Sequence, residues 1–352
     1  MSTTLADLTT LRVGGPAARL VEATDEAELV DAVRSADAAG EPLLVVGGGS
    51  NLLVSDEGFP GTVVHVATRG TALVDCGCGY PTLALAAGEP WEGVVDRAVE
   101  ESLAGIECLA GIPGSTGATP VQNVGAYGQE VGDTVERVRV WDRLESRVRT
   151  LPAGDCGFGY RTSRFKRERL ADGSLRYLVL TVELALRPAE QSNPVRYAEL
   201  ARALGVDEGQ RAPLAQVRDT VLELRRRKGM VLDAADPDTR SAGSFFTNPV
   251  LDAPAAAALP EQAPRWPAAD GRVKVPAAWL ISAAGFAPGH GRGDARISTK
   301  HVLALTNRGS ATAAELVALA REVRDGVAER FGVVLEPEPA LVGLGLDAAP
   351  VG

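Results

Sequence analysis

The run VVGGGSNLLV, residues 45–54, constrains the fold more than any other stretch of this chain. An apolar strand runs into three consecutive glycines, Gly47, Gly48 and Gly49, and the chain then resumes as extended apolar sequence through Leu52. A doubly wound nucleotide-binding fold needs G-x-G-x-x-G opening a helix, because the helix N-terminus completes the phosphate site. Here the pattern breaks at Leu52 and NLLV shows no helical period, which argues against a first domain of that kind. What survives is a strand ending in bare backbone amides that can point at a diphosphate, with Ser50 and Asn51 adding a hydroxyl and an amide. A plain glycine turn explains the stretch equally well when it is taken alone.

A second stretch, GIPGSTGATPVQNVGAYGQE at residues 111–130, repeats the recipe. It sets Pro113, Gly114, Ser115, Gly117 and Ala118 beside Gln122, Asn123 and Gly125, and it is long and poor in charge, as loops that carry function are. Two amide-presenting loops from adjacent subdomains can enclose a dinucleotide, a geometry neither loop explains by itself.

The chain of 352 residues exceeds what one hydrophobic core supports, so two or three packed units are expected. RLVEA (19–23) and LLVV (43–46) read as buried strands around a helix in TDEAELVDAVRSADAAG, which has an acidic start, a 3.6-residue apolar period and a glycine stop. The segment WEGVVDRAVEESL places Trp91, Val94, Val95, Ala98 and Val99 on one helical face; VERVRVW and LRYLVLTVELAL read as strands. Beyond Pro188, APLAQVRDTVLELRRRKG is an amphipathic helix with Leu214, Val217, Val221 and Leu224 aligned, and Thr312 with Glu315 forms a capping box opening a helix to Phe331. HVLALTN reads as a strand and DAPAAAALPEQAPRWPAADG as a surface excursion.

The net charge of −10 argues against nucleic acid or an anionic membrane as a general partner. There is no apolar run long enough to cross a bilayer, and MSTTLADLTTLR lacks the regions of a signal peptide, so a soluble cytoplasmic protein is expected. Cys76, Cys78, Cys108 and Cys156 lack metal-site spacing and read as reduced structural thiols, with no metal expected. His65, His290 and His301 read as structural or solvated, which leaves little room for histidine-based mechanisms. A serine hydrolase is disfavoured because neither Ser115 nor Ser244 sits in G-x-S-x-G.

GGGSNLL followed by GF-x-G, then GIPGSTGATPVQNVGAYGQE, FGYRTSRFK, AGSFFTNP and LEPE stand in one order along roughly residues 5–343. In that order they resemble the UDP-N-acetylenolpyruvoylglucosamine reductase (MurB) family, type I-like by the YAEL segment around Tyr197. The resemblance implies an α+β protein: a two-subdomain FAD-binding fold of the vanillyl-alcohol-oxidase (PCMH) type plus a smaller C-terminal α/β substrate domain. Boundaries are expected at residues 1–68 and 69–210 for the two FAD-binding subdomains, 211–343 for the substrate domain, and 344–352 for a tail. It also implies a monomer acting in peptidoglycan precursor synthesis. Its reaction takes hydride from NADPH through non-covalent FAD to the enolpyruvyl double bond of a UDP-sugar.

By the same resemblance, Gly47 to Leu52 and the 113–125 loop hold FAD, and Ser244 in SAGSFFTNP is the proton donor. Arg161 in FGYRTSRFK stabilises the developing enolate; a guanidinium suits this because it is planar and permanently charged. Glu338 in LEPEPALVG matches a glutamate at the reacting centre, either protonated or orienting Arg161. Tyr160, Tyr197, Lys228 and Asn248 match substrate contacts, whereas Arg164, Lys166, Arg167 and Arg169 read as a solvated basic face. Departures from the family pattern are Ala340, where relatives often carry arginine, and Thr9-Thr10 in place of Asn-Thr.

Overall fold

The computed structural model describes residues 4–74, 82–268 and 271–347, so Cys76 and Cys78 lie outside the described residues. Two compact units interleave in sequence. One comprises Ala18–Gly48 and Pro60–Arg227; the other comprises Met1–Ala17, Gly49–Phe59 and Lys228–Gly352. Both mix helix and strand, the α+β class expected from the sequence.

In the first unit, the strand Leu43–Val46 pairs in parallel with Phe59–Val66, in register from Leu43 opposite Thr62 to Val46 opposite His65. The helix that precedes this pair, Glu26–Ala39, starts where the Asp25 side chain accepts the Glu28 amide and stops at Gly40 in the left-handed region, φ 65°. Ala17–Ala23 occupies the edge of this three-stranded sheet, and there the sequence reading needs correction. RLVEA is not a buried strand: only Ala23 is buried and Leu20 is exposed.

A five-stranded antiparallel sheet completes this unit, in the order Arg147–Pro152, Val135–Asp142, Tyr177–Ala185, Thr82–Ala86, Thr71–Val74. Val138 faces Val182 and Val140 faces Val179 across the central pair, all of them buried. Trp91, Val94, Val95, Ala98 and Val99 of the helix Trp91–Glu100 are buried as the periodicity requires, and so are Leu214, Val217, Val221 and Leu224 of Leu214–Arg227. Asp142, fully buried, receives hydrogen bonds from Arg176 (2.7 and 2.9 Å) and Arg149 (3.2 Å). Arg176 in turn reaches Glu168, which also accepts from Arg164 and the Tyr177 hydroxyl. The basic stretch is therefore no uniformly solvated face: Arg167 and Arg169 are exposed, but Arg164 and Lys166 are half-buried and engaged.

In the second unit, Ser241–Ser244, Ala304–Asn307, Ala295–Ile297 and Gly291–Arg292 form an antiparallel sheet in that order. The strand in HVLALTN begins at Ala304, three residues later than its apolar pattern. Ala277–Ala283 and Ala313–Phe331 supply the apolar faces that bury with it. The capping box of Thr312 and Glu315 is present, and Asp56 adds to it by accepting the Ala313 and Ala314 amides at 2.8 and 3.0 Å. A carboxylate there meets the positive end of the helix. The alanine- and proline-rich segment lies mostly exposed, as expected of a surface excursion, and is pinned at three points: Ala253–Ala257 is helical, and Ala256, Leu259 and Ala263 are buried. Among the described residues no helix is long and apolar enough to cross a membrane.

Candidate active site

The first glycine run divides between the units, Gly47 and Gly48 in one and Gly49 to Leu52 in the other. In the first unit the two loops foreseen from the sequence come together. A Cβ added to Gly47 would lie 2.2 Å from Ser115 Oγ, and one added to Gly48 would lie 2.5 Å from the Gly114 Cα. At Gly48 the backbones of the two loops touch, so glycine is required there, whereas at Gly47 the Ser115 hydroxyl occupies the space a Cβ would need. Gly117 is equally confined against Ala87, and its amide donates to the Ala87 carbonyl at 2.7 Å. The two loops thus pack closely through glycine, serine and threonine, residues whose amides and hydroxyls suit a diphosphate.

Asn123 is 2% exposed, with φ 49°. Its side chain accepts the Gly132 amide (2.9 Å) and donates to Glu130 (2.6 Å) and to the Gly159 carbonyl (3.1 Å). It ties the second loop to the segment carrying Arg161. Gln122, Pro113 and Gly114 are half-buried on the same loop, while Ala118 is exposed.

Arg161 adopts φ 52°, a conformation non-glycine residues rarely take, and such strain concentrates at functional positions. Its Nη2 donates to the Gly125 carbonyl at 2.9 Å, its Cζ lies 5.7 Å from the Tyr160 ring centroid, and its own carbonyl accepts from Lys166 Nζ at 3.1 Å. The guanidinium is thus held against the second glycine loop. Tyr197, 43% exposed, makes an edge-to-face contact with Tyr127, ring centroids 5.3 Å apart. Burial is the main cause that raises the Tyr127 phenol, to about 12, and burial also raises Tyr197.

Arg225 belongs to this unit and sequence reading missed it. Burial lowers its guanidinium to about 10; Tyr127 opposes that shift and the Arg161 charge adds to it. Val217, Val221 and Arg225 recur every four residues on one face of the helix Leu214–Arg227, so the apolar stripe itself was the available signal. Glu107, fully buried, was missed as well; a lone carboxylate inside the apolar run GIECLAGI could have flagged it.

In the second unit, Ser244 ends the strand Ser241–Ser244, with its Cα opposite Ala304. Phe245 and Phe246, each 1% exposed and packed edge to face at 5.1 Å, explain the paired aromatics. Burying such side chains is worth about 1.5–3 kcal/mol each. They clamp the turn and leave Ser244 half-buried at the edge of the core. The Glu338 amide donates to the Phe245 carbonyl at 2.8 Å, and the Thr247 amide donates to the Glu336 carbonyl at 3.0 Å. Residues 245–247, directly after Ser244, therefore run antiparallel beside residues 336–338, bridged at Phe246 and Pro337. The Asn51 side chain donates to the Glu338 carbonyl at 3.1 Å, and Leu52–Val54 pairs in parallel with Ala340–Val342. The Thr10 hydroxyl donates to the Ser241 carbonyl at 2.7 Å, and the Thr10 amide to the Gly49 carbonyl at 3.2 Å. Asn248 Oδ1 accepts the Ala277 amide at 2.9 Å at the start of the helix Ala277–Ala283, so half of that side chain is committed to structure. Lys228, half-buried, follows directly on the helix end at Arg227.

A family model described as an FAD binding domain matches residues 17–151, and one described as the C-terminal domain of UDP-N-acetylenolpyruvoylglucosamine reductase matches residues 236–342. Curated proteins named UDP-N-acetylenolpyruvoylglucosamine reductase from Thermobifida fusca and Streptomyces coelicolor are 53% and 56% identical to this chain. Each alignment covers 97% of this chain, and 97% and 90% of those proteins respectively. The crystal structure of UDP-N-acetylenolpyruvylglucosamine reductase (MurB) from Thermus caldophilus aligns over 97% of both chains with a TM-score of 0.66 at 28% identity. The FAD-binding fold and the C-terminal domain expected from the sequence are both matched, and the chain belongs to the UDP-N-acetylenolpyruvoylglucosamine reductase family.

Proposed function

We propose that this chain is a flavin-dependent, NADPH-consuming reductase that converts the enolpyruvyl ether of UDP-N-acetylglucosamine to UDP-N-acetylmuramate. The observation that carries the reading is the backbone pairing that sets residues 245–247, directly after Ser244, beside residues 336–338, with the Asn51 side chain of the first glycine loop bonded to the Glu338 carbonyl. Loop, hydroxyl and carboxyl are thereby built as one piece of backbone.

The residues present fit FAD. Gly48 and Gly114 meet backbone to backbone, with the Ser115 hydroxyl against Gly47, and Ser50, further along the first run, is half-buried. Residues 47–52 and the 113–125 loop would hold the diphosphate and the neighbouring polar groups. No histidine lies in either loop, in keeping with non-covalent attachment. When bound, FAD supplies hydride transfer from NADPH to the alkene.

The chain's own residues do the rest. Negative charge develops on the carbon beside the substrate carboxylate, and Arg161 lowers its energy without a change of protonation state. Its tether to Gly125 fixes the guanidinium in advance, which removes the reorganisation cost at the moment of reaction. Ser244 holds a proton at Oγ and gives it to that carbon, then regains one from solvent; a positioned donor is worth typically about 10² to 10⁴-fold. Glu338 acts as the acidic partner, protonated or orienting Arg161. Tyr160, Tyr197, Lys228 and Asn248 bind the UDP-sugar, with Lys228 answering the diphosphate charge. The enzyme acts as a cytoplasmic monomer.

The test is optical. The FAD-loaded protein should bleach on adding NADPH without oxygen and regain its colour on adding the enolpyruvyl sugar nucleotide. Colour that returns only with oxygen would point to an oxidase of the same flavoprotein class.

A further inference from the structure

We propose that Glu107 is a positioning residue that holds the Tyr127 hairpin and the Tyr197 segment in one arrangement, and so sets the affinity for the UDP-sugar. The inference rests on the reading of Tyr197 as a substrate contact.

Glu107 opens the short 3-10 turn Glu107–Leu109 and is 0% exposed. Its Oε2 accepts the Gly105 amide at 2.6 Å; its Oε1 accepts the Gln129 side-chain amide at 2.9 Å and the Asn193 backbone amide at 3.1 Å. Gln129 completes the bracket by accepting the Cys108 amide at 2.8 Å. Among the described residues, the partners of this carboxylate are all neutral N–H groups. Burying a charge in such company is costly, and simple packing would be better served by an apolar side chain. A carboxylate is suited here because it accepts from three directions, whereas a neutral amide offers one oxygen.

The two distant partners lead to the two tyrosines. Gln129 lies in a hairpin whose strands pair Gly125 with Glu130 and Ala126 with Gln129, and whose turn is Tyr127-Gly128 at φ 48° and 84°. Asn193 opens a segment clamped by the bond from the Val195 amide to the Gln210 carbonyl (2.8 Å), and that segment ends at Tyr197 before the helix Ala198–Leu204. Tyr127 and Tyr197 meet edge to face, and a Cβ on Gly128 would sit 3.4 Å from Arg196 Cβ. One carboxylate thus fixes the bases of two arms whose tips touch. Burial raises the adjacent Cys108 thiol, and Glu107 adds to that rise.

The experiment uses the FAD-loaded, full-length Glu107→Gln variant. Hydrogen exchange should accelerate at residues 126–130 and 193–197 together. KM for the UDP-sugar should rise about tenfold while flavin reduction by NADPH stays within about twofold, the split that marks lost ground-state binding. Adding Gln129→Glu restores a carboxylate opposite a donor amide and should recover much of the KM. An unchanged KM, faster exchange in one arm alone, or loss of flavin with both half-reactions falling together would overturn the proposal. Tyr197→Ala separates the layers. If it leaves KM unchanged while exchange in the Glu107 variant still rises in both arms, the substrate role of Tyr197 is what fails.

Discussion

The side-chain amide of Asn51 donates to the backbone carbonyl of Glu338 at 3.1 Å, and the Ala340 amide returns a bond to the Asn51 carbonyl at 3.0 Å. A residue of the first glycine loop and a residue near the C-terminus are thereby locked in register, and Leu52–Val54 and Ala340–Val342 continue that register as a parallel pair. Removing the side-chain bond with Asn51→Ala should cost about 0.5–1.5 kcal/mol of stability. It should also slow reduction of the UDP-sugar more than reduction of the flavin by NADPH, because it loosens the glutamate. Thermal unfolding and single-turnover measurement of both half-reactions check this.

Arg161 is anchored through Nη2 to Gly125, and a lysine cannot hold that bond while presenting a planar fork to substrate. Arg161→Lys should retain flavin and lose on the order of 10²-fold or more in the UDP-sugar half-reaction. Rapid mixing of reduced enzyme with substrate reads the loss directly.

Arg225 ties stability to alkaline pH. Its buried charge is lowered to about 10, so below that value the charged form weighs against the folded state, and stability on this account rises as pH climbs through about 10. Arg225→Met should remove that alkaline rise, measured as melting temperature against pH by calorimetry.

Asp142 answers the opposite way. Burial pushes its carboxyl up, but hydrogen bonds from Arg176, the Glu145 backbone and Arg149 outweigh burial and hold it below the ordinary 3.8. Its contribution is fully present above the ordinary aspartate value and is lost as pH falls through the lower folded value. Asp142→Asn should cost about 1.5–3 kcal/mol near neutral pH by removing the charged acceptor that Arg176 and Arg149 share, while Glu168 and Glu145 still partner them, and should flatten the acid limb of the stability curve. Urea unfolding across the acid range measures both.

The legible parts of this protein were those fixed by local period. The stripe from Trp91 to Val99, the capping box at Thr312 and the glycine run that refuses a helix at Leu52 all follow from spacing along the chain. The glycine loops were visible as composition, but their reason was not: Gly48 faces Gly114 across a gap too small for a Cβ, a fact of tertiary approach. Glu107 is explained by partners at positions 105, 129 and 193, and Asp56 by a helix that starts at Ala313; no window along the chain contains both ends of such a contact. RLVEA misled because strand composition does not say how much of a strand the rest of the fold covers. The 252–263 stretch is a surface segment as its composition suggests, but its anchors Leu259 and Ala263 find a core that only the fold provides.

The most direct test of the proposed chemistry is a stopped-flow record of flavin absorbance for wild type and Ser244→Ala, first with NADPH and then with the enolpyruvyl sugar nucleotide. The account predicts that the variant bleaches with NADPH at the wild-type rate and that its colour returns at least about 10²-fold more slowly when the UDP-sugar is added. Recovery of colour at the wild-type rate in the alanine variant would contradict it.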